Sequence, residues 1–230
     1  MKTYINFGGG VNSTAIIALI KMKKLNYDNC EAIFADTGAE RSDTYDYIEY
    51  IKTVSPIPII TVKSKEGSLK DYCKEKKILP MRLLRWCSQR WKHKPLEDYK
   101  EEGSKTIIGI DFGEAKRAAR WRAKNVEFPL IDMQIDRGKC IEIIKEVGWR
   151  VPRKSGCFFC PFAKTSEFAE LKSLNPELFK EVCEMEEEAI GRLKDFKAKG
   201  WFNEKYPLNE LIKRKHPETE EGQMCLFCMD

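Results

Sequence analysis

The first 130 residues alternate between short apolar runs and longer stretches in which apolar residues return every three or four positions. Short apolar runs are typical of strands buried on both faces, and the longer pattern is typical of amphipathic helices. Helices are predicted directly after the first strand, over 42–53, and over 69–100 between the third and fourth strands. This alternation predicts an α/β fold with a parallel sheet covered by helices on both faces. The predicted strands are residues 3–7, 31–35, 58–62, 105–110 and 127–131.

Beyond about residue 150 the pattern contains helices and no strands. Amphipathic helices are predicted over 164–174 and 176–199, and Asn175 with Pro176 forms a plausible cap and first turn at their junction. We therefore expect an α/β domain over residues 1–150 and a helical C-terminal region over residues 151–230.

Composition narrows the class of protein. With 42% hydrophobic and 33% charged residues, the 230-residue chain has the make-up of a folded, water-soluble protein. No apolar run approaches the roughly 20 residues of a membrane-spanning helix, and the N-terminus lacks a secretory signal. We expect a cytoplasmic protein without membrane contact. The net charge of +5 suits an anionic partner and does not distinguish a nucleotide from nucleic acid.

The first predicted strand runs into three glycines and a hydroxyl pair, and a helical pattern follows at once. Glycines let the backbone approach an anion, while the amides and the positive dipole end of a helix attract phosphate. Polar side chains in the first turn can cap the helix and donate to phosphate oxygens. The loop matches neither the dinucleotide fingerprint nor the Gly-Lys-Ser/Thr loop of common NTPases. The predicted phosphate-binding residues are Gly8, Gly9, Gly10, Asn12, Ser13 and Thr14.

Ligands of parallel α/β sheets bind at the carboxyl ends of the strands. The glycine loop and residues 109–111, after the first and fourth predicted strands, fall at that edge. Glu114 and Arg117 follow closely, and they either reach into the same pocket or form a surface ion pair. The second strand contributes Asp36, Thr37 and Gly38 to the predicted ligand edge.

Residues 84–96 concentrate four arginine and lysine side chains, two tryptophans and the thiol of Cys87. Read functionally, Arg90, Lys92 and Lys94 neutralise a polyphosphate or sulfate, and the nearby cations lower the pKa of Cys87. The alternative is an exposed basic helix with its tryptophans turned inward.

Nine cysteines in a chain without a secretory signal argue for metal, cluster or thiol chemistry instead of disulfides. Cys157 with Cys160, and Cys225 with Cys228, form two couples, each able to hold one metal from a single turn. A shared metal would tie the C-terminus back onto the rest of the chain; reduced, half-buried thiols are the alternative. The cysteines that lie in strand or helix patterns are expected core residues, namely Cys30, Cys140 and Cys183.

Four segments, taken in order, resemble the phosphoadenosine phosphosulfate (PAPS) reductase-like branch of the adenine nucleotide α-hydrolase, or PP-loop, superfamily. They are residues 8–14, 34–40, 85–96 and 156–162. The similarity is greatest to phage and bacterial members and to the sulfurtransferases of DNA phosphorothioation. It implies a PP-loop that wraps the phosphates of ATP or a related adenylate. The other implied nucleotide-site residues are Asp36, Thr37, Gly38, Lys92, Lys94, Gly109, Glu114 and Arg117.

The loop departs from the usual Ser-Gly-Gly-x-Asp-Ser form of this family at two positions. Gly8 stands in place of the first serine, and Asn12 stands in place of the aspartate. Asn12 keeps a hydrogen-bonding group but has no negative charge with which to help organise Mg²⁺ and the departing pyrophosphate. We therefore expect this departure to affect the rate of ATP cleavage more than nucleotide binding.

The resemblance leaves two enzymatic mechanisms open. In the preferred one, ATP adenylates a substrate oxygen and sulfur then replaces it, with a sulfur-donor protein as partner. In the other, a cysteine thiolate attacks the sulfur of PAPS and a thiol reductant clears the product, although residues 223–228 lack the Glu-Cys-Gly-type tail of authentic reductases. The candidate catalytic residues are Cys87, Lys92 and Arg117.

The resemblance also implies a [4Fe–4S] cluster, which we prefer to zinc. Its implied ligands are Cys157 and Cys160, with Cys225, Cys228 and Cys87 as further candidates. A third interpretation keeps zinc as a structural clasp and assigns the basic segment to nucleic-acid binding. Thiolate coordination suits both metals, so the sequence does not choose between them.

Overall fold

The structure, a computed structural model, describes residues 1–120, 125–193 and 198–215. These residues divide into two units, each made from two separate stretches of chain. Unit 1 comprises residues 1–65 and 90–156, and unit 2 comprises 66–89 and the described residues from 157 onward. The domains predicted at 1–150 and 151–230 stay a prediction.

Unit 1 is built on a five-stranded sheet in which every strand pair is parallel. The strand order is β3-β2-β1-β4-β5, which confirms the predicted parallel α/β fold. Because β1 is flanked by β2 and β4, the chain reverses its direction of winding between β1 and β4. The strands are β1 (Thr3–Asn6), β2 (Cys30–Asp36), β3 (Ile59–Lys63), β4 (Lys105–Ile108) and β5 (Val126–Glu127).

Alternate residues of the central strands point to opposite faces, and both faces are buried. Ile5 and Phe34 lie on one face and pack in a core with α1 (Val11–Lys21), α2 (Ser42–Val54) and α7 (Arg137–Glu146). Tyr4 and Ile33 lie on the other face and pack against Leu96 of α5 (Lys94–Tyr99). Unit 1 is thus a three-layer arrangement with its sheet in the middle.

The regular elements of unit 2 are all helices among its described residues. Asn175 caps α9 by accepting a 3.1 Å hydrogen bond from the amide of Leu178, as the sequence predicts. The segment 66–89 joins this unit through Lys74, whose ammonium lies 2.5 Å from a carboxylate oxygen of Glu181. The helices are α3 (Leu69–Lys76), α4 (Trp86–Ser88), α8 (Thr165–Leu174), α9 (Pro176–Arg192) and α10 (Leu208–Lys215).

Three predicted elements are wrong in extent, and the first is the helix predicted over 176–199, because α9 ends at Arg192. The fifth strand ends at Glu127, because Pro129 starts the short helix α6 (Pro129–Asp132) where a strand was predicted. The segment predicted to be helical over 69–100 is interrupted: α3 ends at Lys76, and its C-cap residue, Lys77, adopts a left-handed φ of 50°. Helical structure resumes only at Trp86 and continues as a π-helical turn, Gln89–His93, into α5.

None of the helices within the described ranges is both long enough and apolar enough to cross a membrane.

Candidate functional site

The glycine loop connects β1 to α1 at the point where the winding of the sheet reverses. Gly9 has a φ of 69°, a conformation that favours glycine, and a Cβ there would lie 3.0 Å from Ile48. Gly10 is the N-cap of α1 and is extended. The first helical hydrogen bond runs from the amide of Thr14 to the carbonyl of Gly10. The preceding amides of the first turn therefore surround the positive end of the helix dipole, which suits an anion.

The two hydroxyl side chains of the first turn point back to the loop. Ser13 and Thr14 both donate to the Gly10 carbonyl, at 3.1 Å and 2.9 Å. Both side chains are buried, so they fix the shape of the turn in the structure as it stands. Direct phosphate contact by these hydroxyls stays a prediction.

Asn12 faces a carboxylate that the loop after β4 supplies. Its Nδ2 donates a 2.8 Å hydrogen bond to Oδ2 of Asp111, which is only 5% exposed. Asp111 also accepts a 3.2 Å hydrogen bond from the amide of Glu114. A buried carboxylate thus contacts the first turn of α1, the helix whose N-terminus the sequence predicts to bind phosphate.

Gly109 allows the loop after β4 to approach α1 closely. A Cβ at this position would lie 2.9 Å from the backbone nitrogen of Ser13, too near for any side chain. The absence of a side chain at Gly109 is therefore a steric requirement for bringing Asp111 to Asn12.

The loop after β2 is held by its own polar side chains. Asp36 accepts hydrogen bonds from the amide of Gly38 at 2.8 Å and from the hydroxyl of Tyr45 at 2.7 Å. Thr37 is fully buried and donates to Glu40 at 3.0 Å. The carboxylate of Asp36 therefore orders the loop, and its predicted role beside a nucleotide would be to shape the pocket.

Lys92 is brought to this loop by an ion pair. Its ammonium lies 3.2 Å from the Glu40 carboxylate, whose side chain is 2% exposed, while the lysine itself is 42% exposed. Lys94 lies at the surface, where it forms an i,i+4 ion pair with Asp98 at 3.1 Å. Of the two predicted phosphate contacts, Lys92 is thus the one held beside a loop at the carboxyl ends of the strands.

A strap formed by residues 150–156 passes the glycine loop. The Tyr47 hydroxyl donates to the carbonyl of Arg150 at 2.8 Å, and the amide of Arg41 donates to the carbonyl of Gly156 at 3.3 Å. Between these anchors, Ser155 comes so close that a Cβ on Gly10 would lie 3.2 Å from its Oγ. The strap thus adds a hydroxyl to the rim of the loop.

Glu114 and Arg117 pair with each other. Both lie in the 3₁₀ helix Phe112–Arg120, and their side chains are 45% and 61% exposed. This is the surface ion pair that the sequence left open as an alternative, and a ligand role for Arg117 stays a prediction.

The basic segment 84–96 is shared between the units, with the division after Gln89. Trp91 is fully buried and Trp86 packs against Tyr72 with ring centres 5.8 Å apart, so these tryptophans serve packing. Cys87 is half-buried on α4 in unit 2.

Four cysteines are unsuited to nucleophilic chemistry at neutral pH. Burial raises the pKa of Cys30 to about 11 and those of Cys73, Cys140 and Cys183 to about 12. Their thiols therefore stay protonated. Cys140 is fully buried in the core of unit 1, as predicted for it.

Cys157 and Cys160 lie in one turn of unit 2, in which the Cys160 amide donates to the Cys157 carbonyl at 3.0 Å. Both are half-buried. Cys225 and Cys228, the other predicted ligands, lie outside the described residues. Within the described ranges, no three histidine, cysteine or acidic residues group as a metal site requires. The metal assignment stays a prediction.

The family model described as the phosphoadenosine phosphosulfate reductase domain matches residues 2–126, which is more than half of the 230-residue chain. The chain belongs to this family. Membership confirms the resemblance to the PAPS reductase-like family that the sequence shows. The matched part of this PAPS reductase domain contains the glycine loop, the loop after β2, Lys92 and Asp111.

Two uncharacterized proteins of Methanocaldococcus jannaschii are similar in sequence. One is 29% identical over 194 residues, covering 76% of this chain and 45% of the relative. The other is 24% identical over 195 residues, covering 76% of this chain and 39% of the relative. The chain thus spans less than half the length of the curated relatives that it matches.

A crystal structure of phosphoadenylyl-sulfate (PAPS) reductase from Candida auris, a phosphate complex, has a similar fold. The TM-score is 0.54 at 17% identity, and the match covers 70% of this chain and 83% of that chain. At this identity the match supports the α/β architecture of the PAPS reductase domain and says nothing of its substrate.

The structure adds three polar residues that the sequence did not single out as site residues. Glu40 holds Lys92, Asp111 holds Asn12, and Ser155 borders Gly10. Asp111 carried a signal, because it follows a predicted strand at its carboxyl end. Glu40 belongs to the resembling segment 34–40 but had no signal of its own, and Ser155 had none, because their contacts depend on loop conformation.

Proposed function

We propose that this protein is an adenine-nucleotide-dependent sulfur-transfer enzyme that activates its substrate by adenylation. The observation that carries the proposal is the glycine loop at the start of α1, placed where the sheet reverses its winding. Open parallel sheets bind their ligands at this reversal, and a helix N-terminus there favours phosphate. Membership of the PAPS reductase family supports an adenylate as the ligand.

The proposed reaction has two steps. A substrate oxygen attacks the α-phosphorus of ATP, so that a new P–O bond forms, the bond to the β-phosphate bridge breaks, and pyrophosphate leaves. A sulfur nucleophile from a donor, such as a persulfide together with a thiol reductant, then displaces the activated oxygen, and AMP leaves. Catalysis of this kind depends on positioning and charge neutralisation more than on a protein nucleophile.

The residues of unit 1 supply that positioning in the proposal. The amides at the start of α1 hold phosphate, and Lys92, fixed by Glu40, neutralises charge from the side of the β2 loop. Lys94, Gly109 and Arg117 stay proposed contacts at the rim. Asp36, Thr37 and Gly38 shape the pocket beside them.

The proposed cluster would use thiolates of unit 2. The turn of Cys157 and Cys160 fits half of a four-thiolate site, and Cys225, Cys228 or Cys87 would complete it. When bound, such a cluster supplies or relays sulfur and electrons. The described residues alone do not distinguish iron from zinc.

PAPS reduction is the second candidate, because the matching family model is that of the PAPS reductase domain. It requires a thiolate that attacks the sulfur of PAPS, and Cys87, Cys157 and Cys160 are the described cysteines outside the four whose pKa is raised by burial. The bond from sulfur to the adenylate oxygen then breaks, and a thiol reductant releases sulfite.

Product analysis separates the two reactions. We expect the purified protein to bind ATP and to release AMP and pyrophosphate in the presence of Mg²⁺. Sulfite and adenosine 3′,5′-bisphosphate formed from PAPS with a thiol donor would instead establish reduction. Binding of neither nucleotide in calorimetry would reject both enzymatic proposals.

Replacing Lys92 tests the phosphate clamp. We expect Lys92→Ala to weaken ATP binding by about tenfold or more, because a charge-assisted contact is lost. Lys52→Ala is the matched control, since it also removes a lysine from an ion pair, with Glu49 on the exposed side of α2. Equal ATP affinity in the Lys92→Ala and Lys52→Ala proteins would show that Lys92 is not a phosphate contact.

A further inference from the structure

The buried carboxylate of Asp111 contacts the first turn of α1, where we propose that the nucleotide phosphates bind. One of its oxygens accepts from the side chain of Asn12, the second residue of α1, and the other accepts from the amide of Glu114. Both donors are neutral amides. A carboxyl side chain that is only 5% exposed is thus held here by two hydrogen bonds.

The other two carboxylates at this edge of the sheet are paired with cations. Asp36 lies 3.5 Å from the ammonium of Lys63, and Glu40 lies 3.2 Å from that of Lys92. Among the described residues, no lysine, arginine or histidine forms an ion pair with Asp111. Buried carboxylates in proteins are normally paired with a cation or coordinate a metal, so the burial of Asp111 without an ion pair to a described residue points to a cation ligand.

A phosphate at the glycine loop would make this need stronger. The N-terminus of α1 attracts one anion, and the carboxylate of Asp111 is already hydrogen-bonded to Asn12 in its first turn. A polyphosphate arriving at the same turn brings further negative charge, and the two anions repel each other. A divalent cation between them turns this repulsion into attraction.

Magnesium is the cation that fits this donor set. Mg²⁺ is usually bound by one or two carboxylates together with substrate phosphates, and it keeps several waters. A carboxylate only accepts hydrogen bonds, so Asn12 must present its Nδ2 to Asp111 and turn its Oδ1 away. That Oδ1 is buried and has no hydrogen-bond partner among the described residues, so the pair contributes one unpaired neutral oxygen as well as a carboxylate.

We propose that Asp111 receives the Mg²⁺ ion of a bound Mg–ATP complex, and that Asn12 is the positioning residue for its carboxylate. This inference rests on the proposed function, since it assumes that an adenine nucleotide occupies the glycine loop. The glycine loop has an amide side chain at position 12, so in this proposal the negative charge that holds Mg²⁺ comes from Asp111 in the loop after β4.

The test exchanges the two side chains of the pair. ATP binding is measured by calorimetry, once with excess Mg²⁺ and once with EDTA, for the wild type, Asp111→Asn, and the double variant Asn12→Asp with Asp111→Asn. We expect the wild type to bind ATP at least about tenfold more tightly with Mg²⁺. Asp111→Asn should lose most of this preference and bind metal-free ATP more tightly than the wild type, because a repelling charge is gone. The double variant restores a carboxylate and its amide partner, so it should recover the preference for Mg²⁺.

The control and the overturning results are distinct. Asp28→Asn removes an exposed carboxylate of unit 1 and should leave the preference for Mg²⁺ unchanged. Thermal unfolding of each variant checks the fold, and the double variant decides the outcome if Asp111→Asn alone is unstable. ATP binding with an unchanged preference for Mg²⁺ in Asp111→Asn would overturn this inference and leave the proposed function standing. A wild type that binds no ATP under either condition would overturn both.

Discussion

A single missing side chain sets the geometry of the candidate site. Gly109 lies against the backbone of α1, so the space that a methyl group would need is filled by Ser13 and by Asn12. Backbone atoms in the first turn of a packed helix move less readily than the end of a side chain. The contact therefore holds the loop after β4 and the start of α1 in a fixed position relative to each other.

Alanine at Gly109 is expected to reduce the free energy of unfolding by about 1–3 kcal/mol, the usual range for forcing an extra group into a packed region. Gly8→Ala is the matched control, because a Cβ there would meet nothing within 4 Å and its φ is not in the left-handed region. We expect the control to change stability by less than about 0.5 kcal/mol. Urea unfolding of both variants measures the difference, and equal stabilities would contradict the close approach.

Sequence reasoning predicted the residues of this site better than their contacts. The glycine loop and the strand ends were found because glycines, hydroxyls and short apolar runs leave a local signal. The hydrogen bond from Asn12 to Asp111 joins residues 99 positions apart, and no local pattern reports such a contact. The hydroxyls of Ser13 and Thr14 show the same limit, since the choice between the Gly10 carbonyl and a phosphate depends on the folded turn.

At the scale of elements, one buried carboxylate connects the helices of unit 2. Glu186 on α9 is 1% exposed and accepts hydrogen bonds from the amides of Trp201 at 2.7 Å and of Leu208 at 2.6 Å. Leu208 is the first residue of α10, so the carboxylate meets the start of that helix. Glu186 therefore lies inside unit 2, although it belongs to the largely acidic run of residues 184–188.

Glu186 is expected to make stability depend on pH. Burial raises the pKa of this carboxyl above its usual value of 4.5, and the opposing effect of the backbone donors is smaller. The folded state therefore binds a proton more readily than the unfolded state. Its contribution to stability is lost as the pH rises through the folded pKa and is fully present below the unfolded value.

The measurement compares the wild type with Glu186→Gln. We expect the free energy of unfolding of the wild type, minus that of Glu186→Gln, to increase as the pH falls from 7 toward 4.5 and to level off below that. Glu188→Gln on the exposed side of the same helix controls for the general effect of removing a charge. A difference that shrinks on acidification would contradict the raised pKa.

The strands and helices were predicted most reliably where a single hydrophobic periodicity continued over the whole element. Helix α2 and the junction at Asn175 lie where periodicity and capping indicated them. The break in the predicted helix 69–100 was missed because its basic and apolar residues continue a helical spacing across Pro80. The short helix at Pro129 was missed because its apolar residues also suit a strand, and a run that short does not separate the two.

At the scale of the whole molecule, the two predicted chemistries fall in different units. The phosphate-binding residues belong to unit 1, while Cys87, Cys157 and Cys160 belong to unit 2. Nucleotide binding and metal binding can therefore be measured separately. Loss of one without the other in a variant would show that the assignment to units reflects function.

Metal analysis is the corresponding prediction. We expect anaerobically purified protein to contain iron and sulfide, and Cys157→Ser to lose most of both while ATP binding persists. Cys183→Ser is the matched control, because that thiol lies in unit 2 and burial raises its pKa to about 12. Stoichiometric zinc without sulfide would replace the cluster by a structural zinc site. Full retention of metal in Cys157→Ser would show that the ligands are elsewhere.

The division of the chain has a consequence for its biosynthesis. Because residues 90–156 are inserted between the two stretches of unit 2, a ribosome completes the sheet before it has made the helices that α3 packs with. Leu69, Cys73 and Leu79 of the first stretch are buried in the finished protein, and some seventy residues are synthesised between that stretch and the second one. A fragment truncated near residue 156 would lack the second stretch of unit 2, so we expect it to aggregate even though its sheet is complete.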